Sequence, residues 1–161
     1  MSRATRTIRR GTSQAGMTLI ELIIACSILM ILSAAALPIA RYSIVRQRET
    51  ELRQNLREIR SAIDRYKDIS DRNLIRVELG SEGYPPDLET LVKGVKLGAG
   101  NDRRIRFLRS IPVDPMTSRA DWGLRAVQDD PDSRSWGGRN VFDVYSRATG
   151  SALDGTRYAD W

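Results

Sequence analysis

Residues 17–40 read MTLIELIIACSILMILSAAALPIA, 24 positions with a single charge, Glu21. At a rise of ~1.5 Å per residue, a helix of this length covers ~36 Å, more than the ~30 Å of a bilayer's hydrocarbon core. The segment therefore reads as a membrane-spanning helix. An acid inside such a segment costs roughly 2.5 to 3.5 kcal/mol at mid-helix on insertion scales, so a retained Glu21 is a functional residue by default. Cys26 is the one cysteine of the chain and has no partner for an internal disulfide. In an apolar run it reads as a small buried hydrophobe.

Upstream lie sixteen residues with Arg3, Arg6, Arg9 and Arg10 and no acid. The net charge of +6 resembles a nucleic-acid signal until these four are set aside, which leaves 22 basic residues against 20 acidic ones. The basic balance belongs mostly to the leader, and no nucleic acid is expected as a partner. A positive flank before an apolar stretch holds that end in the cytoplasm and orients the membrane segment. A secretory signal is cut after its apolar region, whereas here the Gly16-Met17 junction precedes the run, so cleavage there leaves the helix attached. A plain signal anchor is the alternative, and Glu21 speaks against it.

Downstream, Val45, Leu52, Leu56, Ile59, Ile63 and Tyr66 are spaced by 7, 4, 3, 4 and 3, one face of a continuing helix. Glu49 and Arg53 stand four apart in the favourable order for a pair along the helix. The spacing predicts one helix of about 50 residues, a membrane half over 17–40 and an amphipathic stem over 41–70, with the rest of the chain covering the stem. A free coiled-coil partner is the competing reading, and the stripe is short for one.

The remainder, 71–161, reads as a small mixed domain. Gly80 to Pro86 is turn-rich, and Asp87 to Lys93 is a short helix with acids in its first turn and Gly94 after its end. Trp122 to Val127 and Val141 to Tyr145 alternate as two strands, with Gly137-Gly138 turning the chain between them. Gly94, Gly98 and Gly100 lack the spacing, preceding strand and lysine of a phosphate loop. Arg103, Arg104, Arg106 and Arg109 form a basic cluster, more often a solvated face or a protein contact than a DNA site. The chain holds no His, which removes the usual general base and the commonest metal ligand.

Gly16-Met17-Thr18-Leu19-Ile20-Glu21 resembles the cleavage and methylation signature of type IV prepilins and type II secretion pseudopilins. The resemblance implies an α+β, type IV pilin-like fold, in which the long N-terminal helix packs on a small antiparallel sheet domain. It also implies a prepilin peptidase that cuts between Gly16 and Met17 and methylates the new amine of Met17, with Glu21 as the fifth mature residue and an assembly determinant. Phe is commoner than Met at the position of Met17. Pro38 falls where members often carry a helix-loosening proline.

Further along, the resemblance narrows to major, G-type pseudopilins. Tyr84-Pro85-Pro86, Leu88 to Val92, Ile111-Pro112-Val113-Asp114-Pro115, Phe142-Asp143-Val144-Tyr145-Ser146, Asp154-Gly155-Thr156 and Ala159-Asp160-Trp161 follow the order seen there. Met116 departs from the usual Trp, and Trp136 to Asp160 departs from the usual spacing. Members bind calcium in the C-terminal loop, and Asp154 and Asp160 are the nearest matches, joined by oxygens such as those of Ser146, Ser151 or Thr156. A plain turn and a C-terminal cap are the alternative there.

The resemblance thus implies a structural, non-enzymatic subunit of a homo-oligomeric filament. It would be single-pass in the bacterial inner membrane, N-terminus cytoplasmic and C-terminal domain periplasmic. Its expected partners are the peptidase, an inner-membrane assembly platform and minor pseudopilins. A type IV pilin for adhesion, motility or DNA uptake is the alternative. A membrane-anchored hydrolase needs a nucleophile with its base, and without His none is evident.

Overall fold

The structure, a computed structural model, describes residues 18–98 and 103–161, and for 35–40 it describes the helical backbone without the side chains. The leader over 1–16 and Met17 lie outside the described residues. The chain divides into two units, 1–41 and 42–161. Helix α1, Leu19–Asp71, contributes to both. It is followed by α2 (Leu88–Lys93), β1 (Val95–Lys96), β2 (Arg104–Ile105), β3 (Gly123–Arg125), β4 (Asp143–Tyr145) and a 3₁₀ turn at Tyr158–Asp160. This is the α+β arrangement expected, a long N-terminal helix with small antiparallel two-stranded sheets.

In the first unit Thr18 caps α1: its Oγ1 accepts from the Glu21 amide at 3.3 Å, and its carbonyl from the Leu22 amide at 3.1 Å. Ser27 returns its hydroxyl to the Ile23 carbonyl at 2.8 Å, so this polar side chain adds no unpaired donor to the apolar run. Apolar side chains from Leu19 to Leu32 are exposed on every side of the helix. A helix apolar all round is one whose cover lies outside its own chain.

In the second unit the stem buries Leu52, Leu56, Ile59, Ala62, Ile63 and Tyr66, against Leu91, Phe107, Trp122, Val141, Val144 and Tyr158. Removing each large aliphatic side chain from water contributes about 1.5–3 kcal/mol. Val45 is half-buried and lies outside this core. The stem ends in a left-handed residue, Asn73 at φ 56°. There the Leu74 amide reaches the Ile69 carbonyl at 3.2 Å and the Asn73 amide reaches Ser70 at 2.9 Å. This paired closure satisfies the last carbonyls, and asparagine tolerates the conformation it needs.

Helix α2 forms as its sequence predicts. Asp87 accepts from the Thr90 amide at 2.6 Å, Glu89 and Lys93 pair one turn apart, and Gly94 ends the helix at φ 75°. A Cβ on Gly94 would lie 2.5 Å from the Ile105 carbonyl oxygen, so glycine serves both the turn and the close approach of β2. Strands β1 and β2 pair Val95 with Ile105 and Lys96 with Arg104. That hairpin falls where the sequence showed only glycines and a basic cluster, because two residues per strand leave no alternation to detect.

Strands β3 and β4 pair as expected but are shorter, Gly123 opposite Tyr145, Leu124 opposite Val144 and Arg125 opposite Asp143. Beyond Arg125 side chains take the ladder's donors: the Ala126 amide goes to Asp129 at 2.7 Å and the Val127 amide to Asn140 at 3.0 Å.

Candidate functional site

The expected processing site, Gly16 and Met17, lies outside the described residues. Glu21 sits in the first turn of α1, where the unpaired amides of a helix start favour a carboxylate. It is exposed, and among the described residues its carboxylate has no ion-pair partner. Cys26 is exposed and free within the single chain, so its burial requires a cover from elsewhere. Pro38 lies within the bounds of α1, and its side chain is outside the described residues. Among the described residues no helix is long and apolar enough to cross a membrane. The segment read as spanning, 17–40, falls partly outside them.

The second site residues, Asp154 and Asp160, belong to a loop fastened to the stem. The Leu153 amide and the Tyr158 hydroxyl both donate to Glu49, at 2.8 and 3.1 Å. Arg53 pairs with Asp154 at 3.4 Å, and its guanidinium lies 4.1 Å from the Trp161 ring centroid. Arg60 donates to Asp143 at 2.7 Å, to the Val144 carbonyl at 3.1 Å and to the Trp161 carbonyl at 2.9 Å. Glu49 and Arg53, expected to pair along the helix, instead each reach the loop. A partner held in a folded loop has already lost its freedom, so bonding it costs less entropy than joining two mobile surface side chains.

Inside the loop Asp154 accepts from the Thr156 amide at 2.9 Å and from its hydroxyl at 2.6 Å. The Thr156 hydroxyl bond, aided by Arg53, holds the Asp154 carboxyl below the usual carboxylate range. Burial, followed by the Glu49 hydrogen bond, pushes the Tyr158 phenol up. Asp160 is held by Arg157 at 2.9 Å and Arg134 at 3.5 Å.

This donor set fits calcium poorly. The ion takes six to eight oxygens, and here each carboxylate is already compensated by arginine, whose charge repels a second cation. Ser146 is fully buried and donates to Asp114 at 2.6 Å, Ser151 lies in a backbone bridge with Arg157, and Thr156 Oγ1 accepts from Trp161 Nε1 at 2.7 Å. Among the described residues no group of three or more His, Cys, Asp or Glu is placed to hold a metal. The detergent-solubilised chain is expected to melt at the same temperature in millimolar calcium as in chelator; a rise of several degrees with calcium would establish a site.

Several supporting residues had no signal in the sequence. Asp114 is fully buried, its carboxylate satisfied by Ser146 and by the Met116 amide at 2.7 Å. It lies in one of the quoted motifs, but that motif does not tell a buried acid from a turn residue. Of the basic cluster, Arg104, Arg106 and Arg109 are exposed, with Arg104 on β2.

Residues 11–37 match the family described as the prokaryotic N-terminal methylation motif. The match contains Gly16, Met17 and Glu21 and supports a type IV prepilin-like N-terminal segment. No curated protein and no solved structure matches the chain.

Proposed function

We propose that the chain is a filament subunit of type II protein secretion, a pseudopilin that acts structurally and carries out no chemistry of its own. The observation that carries this is the Gly16 to Glu21 motif, inside the matched segment and immediately before an apolar run with no other charge. Prepilin peptidase cuts between Gly16 and Met17 and methylates Met17. The helix then stays in the bacterial inner membrane as a single pass, N-terminus cytoplasmic and the 42–161 unit periplasmic. An assembly platform and minor pseudopilins add it to a homo-oligomeric filament.

The order of the later motifs favours the secretion filament. A surface type IV pilus is the second reading, and the single Cys26 counts against it, since many major pilins close their C-terminal loop with a disulfide. The inner-membrane placement rests on the length and apolarity of 17–40 in the sequence and on the arginines of the leader.

Mass spectrometry of the chain extracted from membranes of a host with the peptidase is expected to show a start at Met17 carrying one added methyl group. A chain that begins at Met1, or after Ala40, ends the proposal. Replacing Gly16 with a bulky residue is expected to leave the leader attached, because the peptidase must approach the backbone closely there.

A further inference from the structure

The stem of α1 carries charge in two separate stripes. At about 100° per residue, Arg53, Arg57 and Arg60 line one flank of its exposed face, and Glu51 and Glu58, two turns apart, line the other, about 140° away. The core stripe lies on the far side. Arg53 and Arg60 are engaged by Asp154, Asp143 and the main chain of Trp161. Arg57 between them is exposed and, among the described residues, has no hydrogen-bond or ion-pair partner. The same holds for Glu51 and Glu58. Other charges lie along these flanks, among them exposed Arg46, two turns before Arg53 on the basic side. Arg65 is committed to the Phe107 carbonyl at 2.9 Å, and Asp64 is exposed one turn beyond Arg60.

The basic flank is also concave. A cavity of about 230 Å³ is lined by Arg53, Leu56, Arg57, Arg60 and Trp161. Of the three arginines that line it only Arg57 is left, among the described residues, without an acid, and beside it lie Leu56 and Trp161, so the cavity suits one carboxylate on an aliphatic stem. We propose that this cavity is a docking surface for a second copy of the chain, which presents Glu51 and Glu58 of its own stem to Arg57. Charge complementarity selects this occupant. A face-to-face pairing of two identical flanks would set arginines against arginines or glutamates against glutamates, whereas flank against opposite flank joins unlike charges. A contact between two different surfaces of the same chain leaves one of each unused at the ends, and when the rotation does not close it propagates as a helix.

This docking rests on the filament proposal and refines it. The test uses the full chain in membranes with its peptidase, in a Cys26→Ser background. One tagged copy carries Arg57→Glu and a differently tagged copy carries Glu51→Lys with Glu58→Lys, so that only mixed pairs set unlike charges together, and brief formaldehyde treatment links neighbours. Mixed dimers are expected to exceed either like-with-like dimer severalfold. Arg57→Glu is expected to lower the yield of sheared filaments about tenfold, as attraction becomes repulsion at every repeat. Adding Glu51→Lys and Glu58→Lys is expected to restore most of it. Like-with-like dimers equal to mixed ones, or an unchanged yield from Arg57→Glu, overturns the docking while wild-type filaments leave the subunit role standing. Mixed dimers without filaments support the docking and overturn the subunit role.

Discussion

Glu21→Val is expected to insert in the membrane at least as readily as the wild type and to yield few or no filaments. Removal of the one charge in 17–40 makes the segment easier to bury, so insertion gains. If the proposed cleavage after Gly16 takes place, it leaves an amine on Met17, and in a membrane-inserted monomer both that amine and the Glu21 carboxylate would be poorly compensated. Helices stacked with an axial offset bring the carboxylate of one subunit to the amine of its own or a neighbouring chain. Such pairing is favourable in a low-dielectric setting when the desolvation has already been incurred, as it would be for a helix held in a bilayer. Loss of one partner of a buried pair costs about 3–5 kcal/mol, enough to reduce filaments more than a hundredfold. Membrane fractionation confirms insertion, and shearing with immunoblotting counts filaments. A wild-type yield from Glu21→Val removes Glu21 as an assembly determinant and leaves recognition by the peptidase as its role.

Gly123→Ala is expected to destabilise the 42–161 unit by about 1–3 kcal/mol through overpacking. Gly123 lies in β3 opposite Tyr145, and a Cβ there would stand 2.2 Å from Tyr145 Cζ. The ring cannot retreat cheaply. Its hydroxyl donates to the Arg134 carbonyl at 3.1 Å, and the Arg125 guanidinium lies 4.5 Å from its centroid. Covering a strand glycine with an aromatic ring from the paired strand is a recurrent way to stabilise such a position. Thermal melting of the full chain in detergent measures the loss. In a Tyr145→Ala background the same substitution is expected to cost almost nothing, and an equal loss in both backgrounds would mean that the ring is not the obstacle.

What the sequence discloses follows the range of the interactions. The stripe from Leu52 to Tyr66 and the short helix α2 with Gly94 after its end are local patterns, and both appear where the sequence puts them, with Asp87 as the cap and not the first helical residue. The hairpin of β1 and β2 is not legible, since its register depends on Gly94 admitting β2. The extent of β3 and β4 was overestimated because the side chains of Asp129 and Asn140 compete for backbone donors, which alternation does not report. At the candidate site, Glu21 stands out through the cost of a charge among apolar residues. Glu49, Arg53 and Arg60 looked like surface charge because their partners lie far along the chain. The same distance hides the arginine that meets Asp154, since nothing near it in sequence announces Arg53 of the stem.

The fastening of the stem to the loop also sets a clock. Glu49 meets Tyr158 across 109 positions and Leu153 across 104, and Arg60 meets Trp161 across 101. Contacts so distant in sequence form late, because the loop between them must close before they are rewarded. During synthesis the apolar helix emerges before the domain, and the stem's core stripe is not fully covered until Val141, Val144 and Tyr158 have been made. For a chain threaded across a bilayer from its N-terminal helix onward, the 42–161 unit is therefore still unfolded while it crosses. In that case its native core would be completed on the far side, once the last strand and the loop after it have been delivered.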